Sequence, residues 1–245
     1  MADRLTVANL DVAWMTDVGS VRENNEDAVE VAKLPEDSGV LIVVSDGMGG
    51  HAAGEVASRI VCDRMIEAAA ELTPDRPRSE RFAALLAALY DADRKVRSEA
   101  QKDPSRAGMG ATVVASAVTP KSALHLHTGD SRLYQFRGGK RIYRTQDHSL
   151  VEVLHQTGQI NEAEMEEHPA RHLLFSSIGG GNDTIPVEVS PKWEEDAQQQ
   201  EAELSLAPGD LLLLCSDGLN GVLGEDRLAE LIHEHTTDSA EELVE

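Results

Sequence analysis

Val40-Leu41-Ile42-Val43-Val44-Ser45-Asp46-Gly47 is an apolar, β-branched run that stops at Ser-Asp-Gly, and Leu211-Leu212-Leu213-Leu214-Cys215-Ser216-Asp217-Gly218 repeats the pattern. The first run lies between Gly39 and Asp46-Gly47, and the second follows a Pro208-Gly209-Asp210 turn. Short apolar runs bounded by turn residues read as buried strands. A strand end fixes its backbone, so an Asp there is held rigidly at a sheet edge. The glycine after it has no side chain, which lets its carbonyl turn toward a cation. Carboxylates, backbone carbonyls and water are the ligands of hard divalent cations. Asp-Gly is also an ordinary turn dipeptide, and on these segments alone that reading stays open.

Working outward, Leu10, Val12 and Trp14 alternate with Asp11 and Ala13 as a half-buried strand does, and Ala28 to Val31 predicts another. Two helices should follow. One runs from about Glu55 to Leu72, with Ala53, Ala57, Ile60, Val61 and Met65 on one side, ended by Pro74 and Pro77. The other runs from about Glu80 to Gln101, with Phe82, Leu85, Leu86, Leu89 and Val96 at helical spacing. β character returns at Ala111 to Val118, Ala123 to Thr128, Arg132 to Phe136 and Arg141 to Arg144, with a Gly138-Gly139 hairpin turn. A partly helical stretch from Asp147 to His172 has Ser149 as its cap and Gly158 as a stop. Pro186 to Val189, Leu204 to Leu206 and Leu211 to Cys215 read as strands, Trp193 to Glu203 as a polar loop, and Glu225 to His235 as a helix. Helices do not alternate one-for-one with strands. That order favours mixed layers with antiparallel sheets over a doubly wound parallel sheet.

Charge excludes several functions. The chain has 44 acidic and 22 basic residues, a formal net charge of −22, and 3% aromatics. A nucleic-acid binder needs a basic footprint, or aromatic platforms for single strands, and an anionic membrane would repel this surface. Cys62 and Cys215 sit in apolar surroundings and suit a reducing compartment. No secretory h-region opens the chain, and no apolar run approaches the ~20 residues of a bilayer span, so a cytoplasmic location is expected.

The N-terminal segment Asp17-Val18-Gly19-Ser20-Val21-Arg22-Glu23-Asn24-Asn25-Glu26-Asp27 sets adjacent carboxylates after an arginine, the side chain suited to bidentate phosphate contact. It also reads as a polar surface loop. Gly49-Gly50-His51-Ala52-Ala53-Gly54 is a flexible turn into a helix without the Lys-Ser/Thr of a nucleotide loop.

TDVGSVRENNED, VVSDGMGGHAAGEVAS, GMGATVV, HTGDSRLY, QDHSLVEVL and LLLCSDGL resemble, in order, the successive motifs of the phosphatase 2C family of metal-dependent serine/threonine protein phosphatases, bacterial branch. The resemblance covers about Trp14 to Val222. It implies an α+β fold, a four-layer α-β-β-α sandwich with two central antiparallel sheets, in one catalytic domain over residues 1–245 with a flap at about 147–179. By the same resemblance Asp46 bridges two divalent cations, manganese or magnesium. Gly47 offers its carbonyl and Asp217 is a terminal ligand. Glu26 and Asp27 position water, Arg22 binds phosphate, and Asp130 belongs to a third, weaker metal site. Phosphorylated proteins, a serine/threonine kinase among them, are the implied partners of a monomer.

Three departures qualify this. Met48 stands where many relatives have a histidine proposed as general acid, and His51 suits a structural role at the helix start. Gly221 replaces an Asp of the third-metal site. Relatives continue into a strand with an Asp-Asn motif that completes the first metal site, and this strand is expected to be absent here. A non-enzymatic pseudophosphatase that docks phosphoproteins is therefore the competing reading, and a hydrolase of small phosphate esters a third.

Overall fold

The structure is a computed structural model that describes residues 2–49, 53–180, 186–193, 201–235 and 238–244. In chain order its strands and helices are β1 (Asp3–Val7), β2 (Leu10–Trp14), β3 (Asp27–Lys33), β4 (Val40–Met48), α1 (Ala53–Glu67), α2 (Arg78–Lys102), β5 (Gly110–Ala111), β6 (Val113–Val118), β7 (Ser122–Thr128), β8 (Arg132–Arg137), β9 (Lys140–Arg144), α3 (Leu150–Gln156), α4 (Glu162–Glu167), β10 (Glu203–Ser205), β11 (Leu211–Cys215), α5 (Asp217–Leu223), α6 (Glu225–Glu234) and α7 (Ala240–Val244).

The larger sheet has the order β10-β7-β6-β4-β3, with β5 paired to the end of β4. The smaller one is β11-β8-β9, and all these pairings are antiparallel. Side chains along a strand alternate between faces, and that sorts the core into layers. Leu41 and Val43 of β4 pack with Val61 and Met65 of α1 and Leu85 and Leu89 of α2. Val44 points the other way, into a cluster with Val114 and Leu133 that Leu212 and Leu214 of β11 join. Tyr134, Phe136 and Cys215 turn outward again against Leu228 and Ile232 of α6. The result is helices, sheet, sheet, helix, as the antiparallel α+β reading expects. Each fully buried aliphatic side chain contributes roughly 1.5–3 kcal/mol. The β1–β2 hairpin adds Val7 and Val12 to Val40, Val118 and Ala123 at the far end of the inter-sheet space.

Several local expectations need correction. Asp46-Gly47 does not end its strand. β4 runs on to Met48 because Gly47 and Met48 pair with Ala111 and Gly110. The second copy behaves differently: β11 stops at Cys215, and Asp217 opens helix α5. Leu211 to Leu214 are half-buried, because β11 is the outer strand of its sheet with β8 as its partner among the described residues. Pro186 to Val189 forms no strand, and its neighbour Ser190 bridges to His127. Most of the Trp193 to Glu203 stretch lies outside the described residues. Of its ends, Trp193 stacks on Phe82 at 5.3 Å and Glu203 begins β10.

The inter-sheet space also holds imidazoles. Leu124 and Leu126 of β7 face the helices, so His125 and His127, which alternate with them, face the smaller sheet. His125 Nε2 meets the Tyr143 hydroxyl at 2.9 Å, His127 Nε2 donates to the Gln146 carbonyl at 2.7 Å, and His127 stacks on His148 at 5.0 Å. Burial pushes His125 down to about 3, and burial with repulsion from His127 pushes His148 down to about 4. In the unfolded chain these groups take up protons near 6.5. Between about pH 6.5 and 4 the unfolded state thus binds more protons, and stability falls as pH falls. Urea midpoints measured at pH 7 and pH 4.5 should drop, and His125→Gln should show a smaller drop than the unsubstituted protein.

Candidate functional site

Asp27, the first residue of β3, stands directly opposite Asp46 in the β3–β4 register. Asp217 comes from the start of α5 and lies close enough to Asp46 to raise its pKa. Asp130, in the β7–β8 turn, is close enough to both to add its charge. Burial pushes Asp46 up to about 9, with Asp27, Asp217 and Asp130 adding repulsion. Burial, then Asp147 and Asp217, push Asp130 up to about 7. Without a cation, burial and the surrounding carboxylates therefore favour the protonated form of Asp46. These carboxylates crowd because strand ends and turns from both sheets arrive at one edge of the sandwich.

The serine that precedes each aspartate has a distinct task. Ser216 Oγ donates to Asp27 Oδ2 at 2.6 Å, which ties the second Ser-Asp-Gly to the N-terminal acidic segment. Ser45 Oγ donates to the Thr112 carbonyl at 2.7 Å, and Thr112 Oγ1 accepts from the Asp46 amide at 3.0 Å. Thr112 Oγ1 and Ser131 Oγ lie 2.6 Å apart, so one buried threonine joins the Asp46 strand to the Asp130 turn. Thr112 escaped the sequence reading, although it sits inside the GMGATVV motif; its role depends on β6 lying beside β4.

Glu26 lies against the start of α1. Its carbonyl accepts from the Gly47 amide at 3.1 Å and from Ser58 Oγ at 2.6 Å. A Cβ added to Gly54 would meet Glu26 Oε1 at 2.6 Å and the Gly47 carbonyl oxygen at 2.8 Å. The bare glycine keeps open a small space walled by two hard oxygen donors. A Cβ on Gly47 would run into the Gly54 carbonyl, so that position takes only glycine. Arg22 stands above, 63% exposed, with Nη1 on Glu26 Oε2 at 3.1 Å. Asn25 Oδ1 accepts from the Asp27 amide at 3.0 Å and shapes the approach to β3. His172, not singled out by sequence, brings Nδ1 to 4.0 Å from Asp217 Oδ2. His51 lies outside the described residues, Met48 ends β4 and Gly221 lies on α5.

The donor chemistry fits hard divalent cations: carboxylates, a carbonyl, and no thiolate or buried lysine among them. Among the described residues no three Asp, Glu, His or Cys side chains stand in coordinating geometry. Such cations are held equally by one or two carboxylates with carbonyls and water, which Asp46, Asp217 and Gly47 can provide.

A family model described as Protein phosphatase 2C matches residues 20–243. The serine/threonine protein phosphatase PstP of Mycobacterium tuberculosis is 34% identical over 237 residues, 96% of this chain. The chain spans 41% of that relative's length. The structure of a serine/threonine phosphatase from S. agalactiae superposes with a TM-score of 0.74 at 33% identity, covering 89% of this chain and 84% of that one. The PstP catalytic domain in complex with two manganese ions superposes with a TM-score of 0.65 at 28% identity, covering 100% of this chain and 86% of that one.

The carboxylate cluster makes a stability prediction in the metal-free state. A folded-state value raised to about 9 means stability is fully present below the unfolded value of 3.8 and is lost as pH rises toward 9. Asp46→Asn removes that titration. In chelator-treated protein its urea midpoint should exceed that of the unsubstituted chain, by a margin that widens from pH 5 to pH 9.

Proposed function

The chain belongs to the protein phosphatase 2C family, and we propose that it is a metal-dependent phosphatase acting on phosphoserine and phosphothreonine in proteins. The observation that carries this is the cluster in which Asp46 is pushed up to about 9 beside Asp217, Asp27 and the space left by Gly54. So much uncompensated carboxylate calls for a cation.

Asp46, Asp217 and the Gly47 carbonyl are the residues to hold two cations, manganese or magnesium, with Asp130 serving a weaker third. When bound, such ions supply Lewis-acid charge and lower the pKa of water. Asp46 must first give up its proton. Glu26 and Asp27 orient water at the cluster; Ser216 keeps the Asp27 carboxylate turned in place through its 2.6 Å bond. Arg22, exposed and paired with Glu26 among the described residues, offers two donors to a phosphate oxygen pair. No protein nucleophile is called for: burial pushes Cys62 up to about 12 and Cys215 up to about 11, far from thiolate chemistry at neutral pH. In this reading residues 1–245 belong to a single catalytic domain with a flap at about 147–179, and the chain acts as a cytoplasmic monomer on phosphoproteins of a kinase-linked signalling system. No helix among the described residues is long and apolar enough to cross a membrane.

Phosphate release from a phosphothreonine peptide, with manganese titrated in and chelator as control, tests the reading. Asp46→Ala should lower turnover roughly a thousandfold, as the loss of several kcal/mol of transition-state stabilisation requires. Absence of turnover at every manganese concentration would leave phosphoprotein docking without catalysis. Separately, Gly54→Ala fills the space between Glu26 and Gly47. Calorimetric titration should show manganese bound at least about tenfold more weakly, a change of about 1.4 kcal/mol, and the thermal midpoint should fall too, because the Gly47 carbonyl and Glu26 must shift to admit the methyl group.

A further inference from the structure

Arg132 anchors a buried ion network that the chemistry above leaves unused. Its guanidinium grips Asp147 with two parallel bonds, Nε to Oδ1 at 2.8 Å and Nη2 to Oδ2 at 2.7 Å. Nη1 donates to Glu225 at 3.1 Å and to the Tyr134 hydroxyl at 3.0 Å. The Arg132 and Asp147 side chains are 15% and 6% exposed. Two-pronged geometry of this kind fixes both partners in orientation as well as distance, which a lysine cannot do.

Asp147 is the first residue of a long excursion, and the bonds that follow it carry its position onward. His148 donates its amide to the Gly129 carbonyl at 2.9 Å and accepts from the Phe175 amide at 2.9 Å. Leu150 donates to the Leu173 carbonyl at 2.8 Å. The outgoing stretch 147–150 and the returning stretch 173–175 thus run side by side, and His172 comes immediately before the return, 4.0 Å from Asp217. On its other side Arg132 follows Asp130 and Ser131 directly, and Ser131 is bonded to Thr112. One guanidinium therefore ties the Asp130 turn to the root of the segment that overhangs Asp217. That segment presents an exposed Leu173, and α5, which begins at Asp217, presents an exposed Leu219 and Val222. The two elements approach each other at His172 and Asp217, and the apolar side chains exposed on each suit a peptide flanking a phosphorylated residue. A small aryl phosphate has no flanking chain to place there.

We propose that Arg132 is a positioning residue for peptide substrates: its clamp on Asp147 sets the 147–175 segment at the distance from Asp217 that a phosphopeptide requires. The role rests on the phosphatase reading. Arg132 itself touches neither phosphate nor attacking water.

The test compares a phosphothreonine peptide with apolar flanks against p-nitrophenyl phosphate, at saturating manganese, for the unsubstituted protein, Asp147→Asn and Arg132→Lys. Both variants should raise the peptide KM about tenfold or more, while peptide kcat and kcat/KM for p-nitrophenyl phosphate stay within about twofold. A merely structural role would lower both substrates together. Hydrogen exchange on the metal-free proteins gives a reading without turnover: amides of Leu150, Leu173 and Phe175 should exchange faster in the variants, with those of β4 and β6 unchanged. Should Asp147→Asn not fold, Arg132→Lys keeps the charge and carries the comparison. An unchanged peptide KM, or parallel losses on both substrates in an enzyme active on both before substitution, overturns the positioning role alone. An unsubstituted protein inactive on both substrates overturns the phosphatase reading and the positioning role with it.

Discussion

Two carboxyl groups facing each other across a β ladder are costly to ionise together, and the whole functional edge of this molecule is arranged around one such pair. Asp27 and Asp46 are placed opposite each other by the β3–β4 register, not by choice of rotamer. Directly opposed like charges destabilise a sheet, and burial raises the cost by weakening their hydration. The structure adds carboxylates at Asp130 and Asp217 instead of a compensating lysine. The hydroxyls of Ser45, Thr112, Ser131 and Ser216 then act as spacers: each bonds a backbone group, a carboxylate or another spacer and keeps the crowded loops apart at fixed distances. Stability given up at this edge is recovered in the aliphatic layer that β4 shares with α1 and α2.

The frame was legible in the sequence because its signals are periodic. β4 and the α1–α2 pair declare themselves by apolar runs and helical spacing, and their ends fall within a few residues of the expected ones. β1 gave no such signal, since its hairpin turns on Ala8 and Asn9, both with positive φ, and alanine is not a residue that advertises that conformation. α5 was hidden by Gly218 and Gly221, poor helix formers next to a dipeptide that reads as a turn. The Ser-Asp-Gly repeat pointed to Asp46 and Asp217, yet the two copies sit in unlike backbones, one within a strand and one at a helix start. The repeat is one of chemistry, not of local structure.

What stayed illegible is tertiary. Nothing in the spacing of Arg132 and Asp147 announces that they clasp each other, and Thr112 carries no local mark of its two hydrogen bonds, to the Asp46 amide and the Ser131 hydroxyl. The imidazoles of His125 and His127 alternate with Leu124 and Leu126 as polar residues alternate on a half-exposed strand, but the second sheet covers them. A period-2 pattern separates two faces of a strand and is silent on whether the polar face meets water.

β4 carries Leu41 and Val43 in the core and Asp46 at the edge within one unbroken strand. An extended strand already spans close to its maximum of about 3.3 Å per residue and has little slack to absorb a displacement along its axis. Val43 and Asp46 are thus ends of a stiff rod about 10 Å long. The position of the edge carboxylate is thereby coupled to the packing of the same strand's core residues against α1 and α2.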